Sequence, residues 1–456
     1  MTDKETTAAP ARVLTLKDAI FLTVGIVVGA GIFKAPSLVA GAAGSLTAVI
    51  AAWVLGGVVS MVGALCYAEL ACAFPSAGGD YHFLARAYGK RLAFLFAWAR
   101  ITVIATGSIA LLAFVFGDYC AQILPLGEHG PAIYAVLVVL VLTGINYLGT
   151  RQGATAQNWF TSVEVLGLFV VIAAAFFVPA ASSLPSPAPV VVATNGPLFG
   201  PGFGFAMVMV LLTFGGWNEA AYISAEVAGD KRVLARTLII SIAVLTALYL
   251  AVNLAYLYGL GLAGMAKSDA VAADLLQAAW GAPGAKLLSA MVAISAFTSI
   301  NSTVIVGARS AYSTGRDWPA LAWLGKWDEA SDSPRRALIV QALIALALIA
   351  LGTTTRKGFE TMVDFTAPVF WFFFLLTGIS LFVLRRREPG VERPFRVPLY
   401  PLVPFLFCAA CAYLLYSSLT YASSLDMKIG ARVGLGLLGV GAVIMLMLKK
   451  EPEAKI

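Results

Sequence analysis

An all-helical integral membrane protein is the fold class this sequence predicts, and three observations predict it. Of its 456 residues 60% are hydrophobic and only 12% are charged, where a soluble domain carries about 25% charge. The apolar residues come in runs of roughly 20, the length a helix needs to cross about 30 Å of hydrocarbon. Two of those runs are interrupted by glycine at their middles. A β-barrel is excluded, because its strands would alternate at every second residue and look weakly hydrophobic.

Taken in order, the runs predict twelve spans. The first, 16–40, breaks at Gly29-Ala30-Gly31, and 46–73, 91–124, 131–149 and 157–179 follow it. The sixth, 203–227, breaks at Gly215-Gly216 and is followed by 235–262, 284–313, 336–353, 361–384, 399–422 and 428–448. Several exceed a minimal span, which implies tilt or extension beyond the bilayer. The longest external loop, 180–202, is rich in Pro, Ser and Gly. Residues 74–90 read as an inner turn leading into an interfacial helix that ends at Arg86. The polar 314–335 segment should lie along the inner surface, with its three tryptophans at headgroup depth.

The first 15 residues are polar, and no small-residue cleavage site follows a short apolar core, so no cleavable leader is expected. Residues 1–15 and 449–456 read as short cytoplasmic tails around a transporter-like body at 16–448. If the N-terminus is cytoplasmic and the spans alternate, 23 Lys/Arg lie inside and seven outside. That bias sets both termini in the cytoplasm of a multi-pass protein of the plasma (inner) membrane. It also accounts for the net charge of +7 without a nucleic-acid partner. The five cysteines fall in or near apolar spans. Cys408-Ala-Ala-Cys411 has redox spacing but sits on a lipid-embedded helix, where packing is the expected role. His82 and His129 lie on opposite sides, so no His/Cys metal site can be built. The nucleophile-elbow, zinc-protease and P-loop motifs are absent, so neither catalysis nor direct use of ATP is expected.

The broken spans are first and sixth, so each opens a half of five spans. Five is odd, so the second half enters from the opposite side. This is an inverted repeat, at about 16–179 and 203–384, with additional helices at 399–448. Glycine breaks at matching places in two halves are the strongest sequence pointer to a transporter's binding site. The plainer reading of Gly25 and Gly29 alone is a close helix approach. At the first break the N–H groups of Ala30, Gly31 and Ile32, following Gly29, begin a new half-helix and suit a carboxylate. At the second, Phe214-Gly215-Gly216-Trp217, before Asn218, exposes carbonyls that end a half-helix and suit an ammonium. A zwitterion, the α-amino acid backbone, fits both. Phe33, Phe214 and Trp217 are candidates for an apolar lid, or simply packing.

Arg100 and Glu164 stand alone as charges deep in their spans, at similar depth. They are expected to form a buried ion pair near the site, or Glu164 to carry a coupling proton. Glu219 and Glu226 follow the second break, and Glu226 is expected in an ion pair at the inner rim. Asp118 and Asp364 are expected to be solvated. Ser295, Ser299 and Ser302 can bond a ligand or a neighbouring helix, and Gly430, Gly434 and Gly441 mark either an oligomer seam or internal packing.

Several segments resemble those of the amino acid–polyamine–organocation (APC) superfamily. They are Gly29-Ala30-Gly31-Ile32-Phe33, Tyr67-Ala68-Glu69-Leu70 with Phe74-Pro75-Ser76-Ala77-Gly78-Gly79, and Phe214-Gly215-Gly216-Trp217-Asn218-Glu219. Arg393-Pro394-Phe395-Arg396-Val397-Pro398-Leu399-Tyr400-Pro401 resembles its L-type amino acid transporter branch in particular. The resemblance implies a LeuT-type five-plus-five fold and alternating access. It implies carboxylate on the amides of Ala30 and Gly31, and the amino group on carbonyls near Leu212 and Gly215. It also implies proton symport or amino acid exchange without sodium or any other cofactor. One departure is Glu164, where L-type relatives usually carry a lysine thought to stand in for sodium. Arg100 is expected to supply the missing positive charge. L-type transporters of animals join a single-pass partner through a cysteine between spans three and four. Residues 125–130 hold none here, so no disulfide-linked partner is expected.

The sequence therefore predicts a permease for L-amino acids, neutral ones being favoured. The alternatives are a polyamine or cationic amino acid carrier, and, from another class, a non-transporting amino acid sensor. A channel is disfavoured because no span shows a repeated polar stripe.

Overall fold

The computed structural model describes residues 20, 23–25, 27–76, 78–149, 154–178, 202–221, 232–329, 331–355, 357–421 and 428–448. Its helices are α1 (Ala35–Ala43), α2 (Leu46–Ala73), α3 (Gly79–Tyr88), α4 (Lys90–Ile123), α5 (Gly130–Tyr147), α6 (Ala154–Ala175) and α7 (Phe203–Thr213). They continue as α8 (Arg232–Lys267), α9 (Val271–Asp317), α10 (Arg335–Thr354), α11 (Gly358–Arg387), α12 (Leu402–Tyr421) and α13 (Lys428–Met447). Extended pairing among the described residues is confined to an isolated bridge between Asp328 and Ser333. Among those residues nine helices are long and apolar enough to cross a membrane. The other three sequence-predicted spans are the two broken ones and the one containing α6, each lying partly outside the described residues.

Local chemistry sets the boundaries. Gly44, at φ 68°, ends α1 in the left-handed conformation that only glycine adopts cheaply. Ser45 then caps α2 by accepting a hydrogen bond from the Ala48 N–H at 3.2 Å. Pro36 and Pro131 sit in the first turns of α1 and α5, where a missing N–H costs nothing. α8 and α9 run beyond single spans because each bends at a glycine, Gly261 at φ 65° and Gly281 at φ 71°.

Lipid tails are as apolar as leucine, so helices here associate through close approach and interhelical hydrogen bonds. Asn146 on α5 donates to Asn301 Oδ1 on α9 at 2.8 Å, and Gln341 on α10 donates to the Val304 carbonyl of α9 at 3.1 Å. The Trp98 indole of α4 donates to the Leu437 carbonyl of α13 at 2.8 Å. Three glycines of the last helix pack within the chain. Gly430 and Gly434 lie against the Thr361 and Phe365 carbonyls of α11, and Gly441 against the Trp98 ring. α1 packs on α7, α2 on α8, α4 on α9 and α5 on α10. The 318–324 segment is pinned to α4 by a small cluster of Phe94, Trp318, Leu321 and Leu324. Trp318 is therefore buried there, while Trp323 is exposed.

Candidate functional site

Both breaks occur where the glycines place them. Residues 23–25 and 27 are helical, Val28 and Gly29 bend, and Gly29 is extended at φ −134° and ψ −178°. A 3-10 turn, Ala30–Phe33, follows and leads into α1. Within that turn the Ile32 N–H donates to the Gly29 carbonyl at 3.4 Å and the Lys34 N–H to the Gly31 carbonyl at 3.1 Å. The amides of Ala30 and Gly31 open the turn and have no acceptor inside it, which is the geometry of a half-helix N-terminus. Ile32, grouped with them by sequence, is partly committed to Gly29.

The second break follows α7. The Phe214 N–H still reaches Val210, but the Gly215 N–H turns back to the Leu212 carbonyl at 3.0 Å. Gly216 then takes φ 105°, open to glycine at little cost, and a 3-10 turn runs from Trp217 to Ala221. α7 therefore ends with main-chain carbonyls released from helical pairing.

The fold brings the two breaks together. A methyl built on Gly31 would lie 3.7 Å from Thr213 Oγ1 and 3.8 Å from Thr213 Cα. Tyr249 of α8 ties them. Its hydroxyl donates to the Val27 carbonyl at 3.0 Å and lies 3.4 Å from the Thr213 carbonyl. The last carbonyls of both leading half-helices thus share one proton. Tyr249 is fully buried against Trp53 and Phe214, with ring centroids 5.9 and 5.0 Å away. Sequence reading missed it: its span, 235–262, also holds Tyr256 and Tyr258, so no signal singled it out.

The lid candidates divide. Phe214 is sealed into that aromatic cluster and is packing. Trp217 turns away from Gly31 and meets Tyr67, Phe374 and Phe407, at centroid distances of 5.1, 5.8 and 6.4 Å. Beside it, Gly215 borders a cavity of about 10 Å³ that Ser60 and Phe370 also line. Asn218 is buried on the same turn. Phe33 stays by the first break, its ring 3.5 Å from a methyl built on Gly167 of α6.

The expected Arg100–Glu164 ion pair is not formed. Glu164 is buried and accepts a hydrogen bond from the Ser295 hydroxyl of α9 at 2.7 Å. Arg100 instead lies 3.6 Å from Glu219, on the turn after the second break. Equal depth brought the two residues to one level but left their azimuths undetermined. Arg100 sits on a π-helical turn of α4, Arg100–Ile104, that contacts α9, α11 and α13, whereas Glu164 of α6 faces α9. Ser299, one turn after Ser295, approaches the first break, with its Oγ 3.9 Å from a methyl built on Gly29. Thr303 and Thr298 hydroxyls are spent on their own helix.

Two further expectations are corrected. Asp118 is not solvated but paired with Lys34 at 2.8 Å. Asp364 is buried on α11, with Oδ2 lacking a hydrogen-bond partner. Hydropathy locates a residue near a helix end, but whether neighbours cover it is a matter of packing. Glu226 lies outside the described residues.

Where α2 closes beside the end of α11, Glu69 is almost fully buried. It accepts from Arg385 Nε at 2.7 Å and from the Val397 N–H at 2.7 Å, with Arg393 Nε at 3.4 Å. Tyr67 donates to Asp80 of α3 at 2.6 Å. Arg86 of α3 pairs with Glu388 at 2.7 Å and covers the Phe74 ring. Its hydrogen bonds hold the Glu388 carboxyl below the usual carboxylate range.

A model of the amino acid permease family matches residues 14–435. The chain belongs to the amino acid permease family. The permease is 25% identical to the serine/threonine exchanger SteT of Bacillus subtilis (strain 168), over 92% of this chain and 94% of that protein. It is 28% identical to the human b(0,+)-type amino acid transporter 1, over 90% of this chain and 82% of the relative. It is also 28% identical to the mouse Asc-type amino acid transporter 1, over 88% and 76%.

Proposed function

We propose that this permease carries neutral L-amino acids across the plasma membrane by alternating access, as an exchanger or a proton symporter. In this reading the carboxylate rests on the amides of Ala30 and Gly31, beside Gly29 and Ile32. The ammonium rests on the carbonyls around Leu212, Phe214, Gly215 and Gly216, with Trp217 and Asn218 bounding the site. The observation that carries it is the contact of Gly31 with Thr213, which sets an opened half-helix N-terminus against an opened half-helix C-terminus. A zwitterion is the solute whose two charges match those two dipole ends. The exchanger half of the proposal draws on SteT, and the neutral substrate on the rat large neutral amino acids transporter small subunit 2, 28% identical over 89% of this chain.

The architecture proposed is twelve helices in a LeuT-type inverted repeat, about 16–179 and 203–384, with two added helices. The pairing of α1 with α7, α2 with α8, α4 with α9 and α5 with α10 supports it, since each partner holds the same place in its half. Both termini are placed in the cytoplasm on the 23-to-7 charge bias. No disulfide-linked subunit is proposed, because 125–130 lacks cysteine.

Glu164 supports a second reading of the coupling. With no arginine beside it, a buried carboxylate near the first break calls for a proton or a cation. We therefore assign the coupling proton to Glu164, with a cationic amino acid or polyamine as the competing occupant. Uptake of a panel of labelled amino acids into proteoliposomes, empty or preloaded, with and without an inward proton gradient, tests all of this. Stimulation by preloaded neutral amino acids is the expected result. Binding without uptake in every condition would leave a sensor instead.

A further inference from the structure

The second halves of the two broken spans each carry a charge three residues after a break glycine: Lys34 after Gly31, and Glu219 after Gly216. The charges are opposite in sign. Each is met by an opposite charge on one and the same helix, α4. Lys34 pairs with Asp118 at 2.8 Å and Glu219 with Arg100 at 3.6 Å. Asp118 and Arg100 are 18 residues apart in sequence, about 27 Å along a helix. Arg100 lies ten residues into α4 and Asp118 five before its close, so the two stand in opposite halves of a single strut.

We propose that Lys34–Asp118 and Arg100–Glu219 are reciprocal latches, which seat α1 and the Trp217–Ala221 turn against opposite halves of α4 and open in alternation during transport. The proposal rests on the alternating-access reading above and goes beyond it by naming the positioning residues.

The two latches are unequal. In the outer latch Lys34 also donates to the Asp269 carbonyl at 2.8 Å, and the Tyr119 hydroxyl, next to Asp118, donates to the Phe33 carbonyl at 2.7 Å. The Lys34 and Asp118 side chains keep only 8% and 19% of their surface exposed. In the inner latch the ion pair is longer, and Glu219 keeps 34% of its side chain in contact with solvent. A charge pair screened by water contributes less than one held out of it. The outer latch is therefore the stronger, and its loss moves the conformational balance further. Neutralising one half-helix charge removes the attraction at that position and leaves the other pair in place, so each neutral variant biases one side.

The test is hydrogen–deuterium exchange on the full-length protein in nanodiscs, without substrate. Lys34→Met should speed exchange about fivefold or more in 30–43 and 268–276 and slow it in 217–221. Glu219→Gln should do the reverse with a smaller change. The double variant should return toward the unaltered pattern, and the swapped pair Lys34→Asp with Asp118→Lys should restore closure of the outer segments. Faster exchange on both sides in each single variant, which is plain destabilisation, would overturn the latches, as would no change on either side. If the swapped pair does not fold, the two single variants and their combination still decide. Uptake by the unaltered protein is a separate measurement. Reciprocal opening in a protein that carries no amino acid would sink the transport reading and spare the latches.

Discussion

Tyr249 joins both leading half-helices through one hydroxyl. Tyr249→Phe leaves two buried carbonyls short of a donor, and each orphaned group costs about 1–3 kcal/mol. A lower melting midpoint together with slower uptake is the expected outcome; an unchanged midpoint would mean that the bridge carries no load. Glu164 is buried with the Ser295 hydroxyl as its donor. Glu164→Gln keeps the shape and the hydrogen bond but loses the titratable proton. Uptake should become insensitive to an inward proton gradient while exchange of preloaded amino acid persists. A pH profile matching that of the unaltered protein would remove Glu164 from coupling. At this scale the sequence singled out Glu164 and Ser295, which one hydrogen bond joins, and the glycines at which both spans break. It paired Arg100 with the wrong partner, because depth along a helix is readable and rotation about it is not.

Elements met the sequence reading closely where hydropathy and breakers act locally. The spans starting at 46, 131, 203 and 428 begin within a residue of α2, α5, α7 and α13. The longer α8 and α9 were not foreseen at their full length, because Gly261 and Gly281 bend a helix that hydropathy alone would stop. Gly430, Gly434 and Gly441 of α13 make contacts within the chain. A methyl on Gly441 would approach Trp98 Cδ1 to 2.2 Å, so Gly441→Val forces α13 off α4. Overpacking of this kind costs about 1–3 kcal/mol. Thermal unfolding of the variant in detergent should show the loss, with the molecular mass by light scattering unchanged. A change of mass with an unaltered midpoint would point to an oligomer seam instead.

Across the whole molecule, Glu69 joins the end of α2, the end of α11 and the 393–397 segment before α12. Removing one charge from such a buried cluster strands the others, at a cost of about 3–5 kcal/mol. Glu69→Gln should therefore lower the melting midpoint more than Gly441→Val does, and proteolysis near 388–397 should speed up. Equal stability to the unaltered chain would show that the cluster is incidental. The sequence by itself determined that this is a helical membrane protein, where its spans begin, where two of them come undone, and which family it belongs to. Those properties follow from composition, spacing and glycine, which act along a few consecutive residues. Only the tertiary structure decided that Gly31 meets Thr213, that Tyr249 clasps both broken helices, and that α4 holds Lys34 in one half and Glu219 in the other. Such contacts join residues tens to hundreds of positions apart, and they depend on how each helix is rotated about its axis, which hydropathy leaves free.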